Sequence, residues 1–296
     1  MSASSNLKFS GSWVALITPM NEQGEIDFDD LRKLVDWHVD NGTTGLVVLG
    51  TTAETSTLTE QEQFQVLEVV IQQNASRLPL IVGNGGNCTR STIEKTKKLD
   101  EYDIDGYLTV TPYYNRPNQK GMVAHFKAVA AATDKAIILY NVPARTGVDL
   151  SNESVIELMK VNNIVGIKDA TGDLSRVRVM LEADDSFILS SGDDGTAREY
   201  MELGGHGVIS VTANVEPKLV SDVVSASTNG EYELAKKVDA KLKPLHRDLF
   251  VEPNPVPSKW ALKEKGIIKS DMVRLPLLTM EPIHQNTVKQ ALQQAR

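Results

Sequence analysis

Eight short runs of β-branched and aliphatic residues, at 14–18, 46–49, 80–82, 107–110, 137–140, 164–167, 187–189 and 208–211, constrain this chain more than any other feature. Each run is largely apolar instead of alternating, the pattern of a parallel strand covered on both faces. Stretches of helical period separate them. Phe28, Leu31, Leu34, Val35 and His38 recur at three- and four-residue steps and form one apolar stripe. Thr59-Glu60-Gln61-Glu62 reads as a capping box opening a second helix, and Ser91-Thr92-Ile93-Glu94 as one opening a third. Asn41-Gly42 follows a helix, where a hairpin would place it between two strands. The expected fold is an α/β protein, an eight-stranded (β/α)8 barrel, with a doubly wound open sheet as the alternative.

After the eighth run the alternation stops. A helix is expected at 217–225, followed by helical segments at 231–249, 259–265 and 287–295, with Pro253, Pro255 and Pro257 between them. The expected division is a barrel over residues 1–228 and a helical extension packed on it over 229–296, since no low-complexity linker intervenes. The length of 296 residues accommodates one barrel and such an appendage.

Charge narrows the partners. The 31 basic and 39 acidic residues give a net charge of -8 and a pI near 5.3, which disfavours nucleic acid and anionic membranes. Small anionic substrates stay open, because local donors outweigh a distant, screened charge. Cys88 is the only cysteine, so no intramolecular disulfide forms and a cytoplasmic location is expected. No run approaches the roughly 18 apolar residues of a membrane span, and residues 1–10 lack the layout of a leader.

In such barrels the chemistry sits on loops after the C-terminal ends of the strands. Lys168 follows the apolar run Ile164-Val165-Gly166-Ile167, an unusual place for a cation. An ordinary lysine is neutral only about 0.04% of the time at pH 7. Burial at the barrel mouth lowers its pKa and creates a nucleophile toward a carbonyl; the alternative is an ion pair with Asp169 or another acid. Tyr140, one strand earlier, is suited to moving the protons of imine formation, with Thr51 and Tyr114 as relay, although tyrosines also serve as packing residues with bonded tips. Gly50-Thr51-Thr52-Ala53 offers N–H groups and hydroxyls to a carboxylate.

Other features read as structural. Asp193-Asp194 is expected to form a strand-end turn, and no histidine stands at ligand spacing, so no metal is assigned. Gly83-Asn84-Gly85-Gly86-Asn87 lacks the lysine of a phosphate loop and does not match the dinucleotide fingerprint; a tight βα turn and no cofactor are expected. His38, His125, His206, His246 and His284 are too scattered for a catalytic dyad.

Five motifs together identify a relative. Gly50-Thr51-Thr52-Ala53-Glu54, Val110-Thr111-Pro112-Tyr113-Tyr114-Asn115, Tyr140-Asn141-Val142-Pro143-Ala144-Arg145-Thr146-Gly147, Gly166-Ile167-Lys168-Asp169-Ala170-Thr171-Gly172 and Ser191-Gly192-Asp193-Asp194 stand in the order and spacing of the dihydrodipicolinate synthase family, which the chain resembles over essentially its whole length. The resemblance implies a lyase that forms a Schiff base between Lys168 and pyruvate and condenses the enamine with L-aspartate-4-semialdehyde, the first committed step towards diaminopimelate and lysine. It implies Tyr140 as acid/base and Thr51 and Tyr114 as relay, the latter supplied by a neighbouring subunit of a homotetramer built from tight dimers. Thr52 and Ile209 would line the pyruvate pocket, Gly192 would lend its backbone, and Arg145 would grip the carboxylate of the second substrate. Sialic acid lyases and sugar-acid aldolases resemble the chain at the lysine but usually lack that arginine; a related aldolase is the alternative activity, and a catalytically silent barrel a more distant one.

Two departures stand out. Ala53 occupies a position where the family often has glycine, which would cost roughly 1–2 kcal/mol if the backbone needs a positive φ. Lysine-inhibited members bind the effector through residues matching Thr55, Ser56, Asn87 and Tyr113, but Ser91 replaces the glutamate that grips its ammonium, and Glu60 and Gln63 stand where histidine is frequent. Losing a charged hydrogen-bond partner weakens binding roughly ten- to a hundredfold, so feedback by lysine is expected to be weak or absent.

Overall fold

The computed structural model describes residues 7–295; residues 1–6, over which the leader expectation partly falls, and Arg296 lie outside the described residues. Eight parallel strands close into a barrel in chain order: β1 (Gly11–Ala15), β2 (Gly45–Val48), β3 (Leu80–Gly83), β4 (Gly106–Val110), β5 (Ala136–Asn141), β6 (Ile164–Asp169), β7 (Ile188–Ser191) and β8 (Gly207–Ser210). The seam is β1 against β8, with Gly11, Ser12, Trp13 and Val14 opposite Gly207, Val208, Ile209 and Ser210. That pairing excludes the open sheet.

Strand bounds differ from the sequence reading where tertiary pairing decides. The first strand starts three residues earlier than its apolar run, because Gly11 and Ser12 pair with β8, and Ile17 has left the strand with its N–H bonded to Asn214 Oδ1. β6 runs on to Asp169, so Lys168 lies within a strand and directly opposite Tyr140 of β5.

Two apolar layers flank the strands. Residues pointing inward, including Trp13, Val47, Ile81, Leu108, Ile138, Tyr140, Ile188 and Ile209, fill the barrel. Residues of opposite parity, such as Val14, Leu46, Val82, Leu139, Ile167, Leu189 and Val208, pack against the helices.

The helical shell comprises α1 (Phe28–Asp40), α2 (Glu60–Asn74), α3 (Thr89–Leu99), α4 (Gln119–Ala130), the single turn α5 (Pro143–Thr146), α6 (Asn152–Leu158), α7 (Ser175–Ala183), α8 (Ala197–Glu202) and α9 (Pro217–Thr228). α2 opens on the expected capping box, Thr59 and Glu62 each bonding the other's backbone N–H. α3 does not open at Ser91. It begins two residues earlier after Cys88, because Thr92 and Thr96 bury and bond the carbonyls of Cys88 and Thr92, leaving Ser91 and Glu94 exposed on the first turns. Three helices follow α9: α10 (Tyr232–Asp248), α11 (Val256–Glu264) and α12 (Pro282–Gln294). α10 packs on α9 and α12, and the α11 region reaches over the barrel mouth. No described helix is long and apolar enough to cross a membrane.

Candidate active site

Alternation along β6 sets the site. Ile167 and Asp169 point outward and Lys168 points inward, so the two neighbours in sequence never meet. Asp169 binds Arg176 of α7 at 2.7 Å and the N–H of Thr171. The ion pair with Asp169 that the sequence left open therefore does not form. Among the described residues no carboxylate lies within ion-pair distance of Lys168; its Nζ sits over the Tyr140 ring, 4.4 Å from the centroid. A cation on an aromatic face is a favourable contact that supplies no counter-charge. Burial lowers the Lys168 pKa to about 8, with Asp194 opposing the shift and Arg145 adding to it.

Tyr140 is itself buried, which raises its pKa, while Arg145 and a hydrogen bond with Thr51 pull the other way. A phenol held protonated beside an amine that is partly neutral at pH 7 is an acid next to a nucleophile. Gly192 makes room for the lysine: a Cβ there would lie 2.9 Å from Lys168 Cε and 2.8 Å from the Ala170 methyl. Ile209 faces the same interior.

A cavity of about 490 Å³ opens above, lined by Thr51, Tyr140 and Arg145 and continuing toward Thr55, Ser56 and Tyr113. Lys168 is not part of its lining; Tyr140, over whose ring the Lys168 Nζ sits, is. Arg145, just past β5 on α5, is exposed and bonds the Asn254 carbonyl at 3.4 Å. Thr52 is buried, and its Oγ1 accepts from Asn254 Nδ2 at 2.8 Å. Tyr114 does not line the cavity of its own chain. It projects into solvent, 89% exposed, from a backbone at φ 72°. Asn87 also stays outside the lining, its carbonyl accepting from Asn115.

Ala53 sits in the 3-10 turn Thr51–Ala53 with no positive φ; the left-handed residue is Glu54, at φ 56°. The anticipated strain at Ala53 is thus absent, because the turn places its sharp bend one residue later. The glycine-rich segment after β3 is a turn pinned by Asn84, whose side chain bonds Thr96 and Thr109. Asp193 caps a 3-10 turn by accepting from Thr196, and Asp194 accepts from the N–H groups of Val211 and Thr212 and from the Ser210 hydroxyl. Among the described residues no three His, Cys, Asp or Glu side chains gather in a way that could hold a metal.

Sequence reasoning missed several neighbours. Ser190, directly opposite Lys168 on β7, has a buried hydroxyl without a partner; its inward parity was legible from Ile188-Leu189-Ser190-Ser191. Asp194, read only as a turn residue, is the acid whose charge acts on Lys168. Lys95, half-buried on α3 and lining the cavity, has its pKa lowered to about 8 by burial. Asn254, Glu54 and Lys259 had no local signal.

Residues 8–295 match the Dihydrodipicolinate synthetase family. The chain is 48% identical over 285 residues to the 4-hydroxy-tetrahydrodipicolinate synthase of Pseudoalteromonas atlantica, covering 96% of this chain and 97% of that one. It is 47% identical over 288 residues to the enzyme of the same name from Escherichia coli, covering 97% and 99%. Among solved structures it superimposes with a TM-score of 0.94 on the chloride-inhibited dihydrodipicolinate synthase of Acinetobacter baumannii complexed with pyruvate, at 46% identity and 97% and 98% coverage.

Proposed function

The chain belongs to the dihydrodipicolinate synthetase family, and on that premise we propose that Lys168 is the amine that captures pyruvate. The reaction is the lyase-class condensation of pyruvate with L-aspartate-4-semialdehyde, the first committed step of diaminopimelate and lysine biosynthesis. The observation that carries the assignment is the buried, unpaired ammonium of Lys168 against Tyr140.

With a pKa of about 8, roughly a tenth of Lys168 is neutral at pH 7, on the order of 250-fold more than an ordinary lysine offers. The neutral amine attacks C2 of pyruvate, and the carbonyl oxygen takes up a proton to give a carbinolamine. Tyr140 protonates the hydroxyl, which leaves as water, and the C=N bond forms. Loss of a C3 proton gives the enamine, whose C3 bonds to the aldehyde carbon of the semialdehyde while the aldehyde oxygen becomes a hydroxyl. The semialdehyde amine then attacks the C=N carbon, closing the ring and releasing Lys168. Thr51 passes protons to and from Tyr140, Thr52 and Ile209 bound the pyruvate pocket beside the backbone of Gly192, and Arg145 holds the carboxylate of the second substrate.

Borohydride reduction in the presence of pyruvate, read by intact mass, tests this: wild type gains a covalent adduct and Lys168→Ala does not. An unlabelled wild type overturns the assignment.

The exposed Tyr114 supports a relay completed by a neighbouring chain in a homotetramer of tight dimers. Mixing Tyr114→Phe and Lys168→Ala chains then restores activity that neither has alone; no restoration overturns the shared site. Lysine feedback is weak in this reading. Thr55, Ser56 and Tyr113 border a cavity that presents the cations Lys95 and Arg145 and no carboxylate, while Glu60 is engaged by Lys98 at 2.6 Å and Ser91 faces solvent. Strong inhibition by micromolar lysine would contradict this. A cytoplasmic location fits the family's biosynthetic role, and fractionation of the source cells tests it.

A further inference from the structure

The turn that carries Thr51 and Thr52 is held from the far end of the chain. Glu54, the left-handed residue that ends the turn, is 4% exposed and carries a carboxylate into the protein. Its Oε1 meets Lys259 Nζ of α11 at 2.6 Å, and its Oε2 accepts the Arg274 N–H at 3.0 Å. Lys259 is fully buried and donates also to the Met272 carbonyl at 2.6 Å. Two residues before Glu54, Thr52 accepts from Asn254, whose carbonyl in turn accepts from Arg145. The Arg274 guanidinium bonds the carbonyls of Thr57 and Gly24, both at 2.9 Å, and the Glu62 carboxylate. Segments more than 200 residues apart thus fix the middle of the turn, at Thr52, and its C-terminal end, at Glu54.

A buried lysine–glutamate pair is a poor way to gain stability, since desolvation offsets much of its attraction. It is a good way to fix direction, because only one placement of two desolvated charges is tolerated. We propose that Glu54 and Lys259, seconded by Asn254, are positioning residues of the reaction: they hold the Thr51–Thr52 turn at the distance from Tyr140 at which its hydroxyl can move protons. The proposal rests on the relay reading of Thr51 given above. Lys259 touches neither substrate nor the reacting amine and acts through Glu54. Misplacement of a relay group by about 1 Å is enough to lower turnover about a hundredfold.

The test uses the full chain. Glu54→Gln/Lys259→Met removes both charges together, so no lone buried ion remains to unfold the protein. Its melting temperature, kcat, KM for pyruvate and rate of borohydride trapping are compared with wild type, with Thr51→Val and with the triple variant; Asn254→Ala is the milder companion. The expected result is a folded double variant whose kcat falls about 10- to 100-fold with KM for pyruvate changed less than about threefold. On the Thr51→Val background the charge-pair changes should add almost nothing to the loss, because they act through that residue. A folded double variant within twofold of wild-type kcat, or losses that multiply with Thr51→Val, overturns the positioning role while leaving the relay standing. Wild-type turnover in Thr51→Val overturns the relay itself.

Discussion

Lys168 and Lys259 are both buried, 5% and 0% exposed, yet their surroundings are opposite. Lys259 lies between α11 and the turn after β2 with Glu54 at 2.6 Å and the Met272 carbonyl at the same distance. Lys168 lies within the barrel wall with an aromatic face and no acid in contact. Burial lowers the pKa of each, but Glu54 opposes it for Lys259, while for Lys168 only the more distant Asp194 does so and Arg145 works the other way. Desolvation alone is therefore not what makes a reactive amine. The absence of a bonded counter-ion decides which lysine is structural and which is chemical.

Replacing each in turn is the sharpest way to break that contrast. Lys168→Ala should lower turnover about 10⁴-fold or more, the scale on which covalent nucleophiles are lost, with the fold intact; pyruvate consumption by the purified protein measures it. Lys259→Met should instead cost about 3–5 kcal/mol of stability by urea unfolding, since it strands the Glu54 carboxylate. Lys168→Met should leave stability unchanged or raise it by about 1–3 kcal/mol. The sign follows from linkage: a folded pKa below the unfolded value means the unfolded chain binds more protons between about pH 8 and 10.5, so this residue penalises folding below pH 8 and the penalty fades as pH rises. Equal destabilisation by both methionine substitutions would erase the distinction.

Arg145→Ala should weaken use of the semialdehyde roughly 10- to 100-fold in kcat/KM while borohydride trapping of pyruvate persists. A sugar-acid aldolase would tolerate that change. Smallest in effect is the pH profile. Wild-type kcat/KM for pyruvate should rise about tenfold per unit up to about pH 8 and then level off, as the ammonium loses its proton. Arg145→Ala should move that inflection upward, because a nearby positive charge is gone; an unmoved or falling inflection would remove Arg145 from the electrostatics of Lys168.

The barrel was legible because parallel strands covered on both faces must be apolar along their whole length, as 80–82 and 137–140 are. Lys168 was legible for the same reason: a cation on such a run breaks the pattern. The start of α3 was misplaced because Thr92 and Thr96 anchor the helix from inside, a signal that the Ser91–Glu94 spacing outweighs locally. Asp194 was visible only as a turn residue, since nothing in Gly192-Asp193-Asp194 tells which carboxylate faces the barrel.

The sequence by itself determined the order of strands and helices, the motif positions and the single lysine at the end of the sixth apolar run. Tertiary structure decided that the charge of Asp194 would act on that lysine, and which distant lysine and asparagine would grip the turn beside it. Local residue order sets side-chain parity, which sends Asp169 and Lys168 to opposite faces. Contacts across 200 residues depend on barrel closure, and no spacing along the chain encodes them.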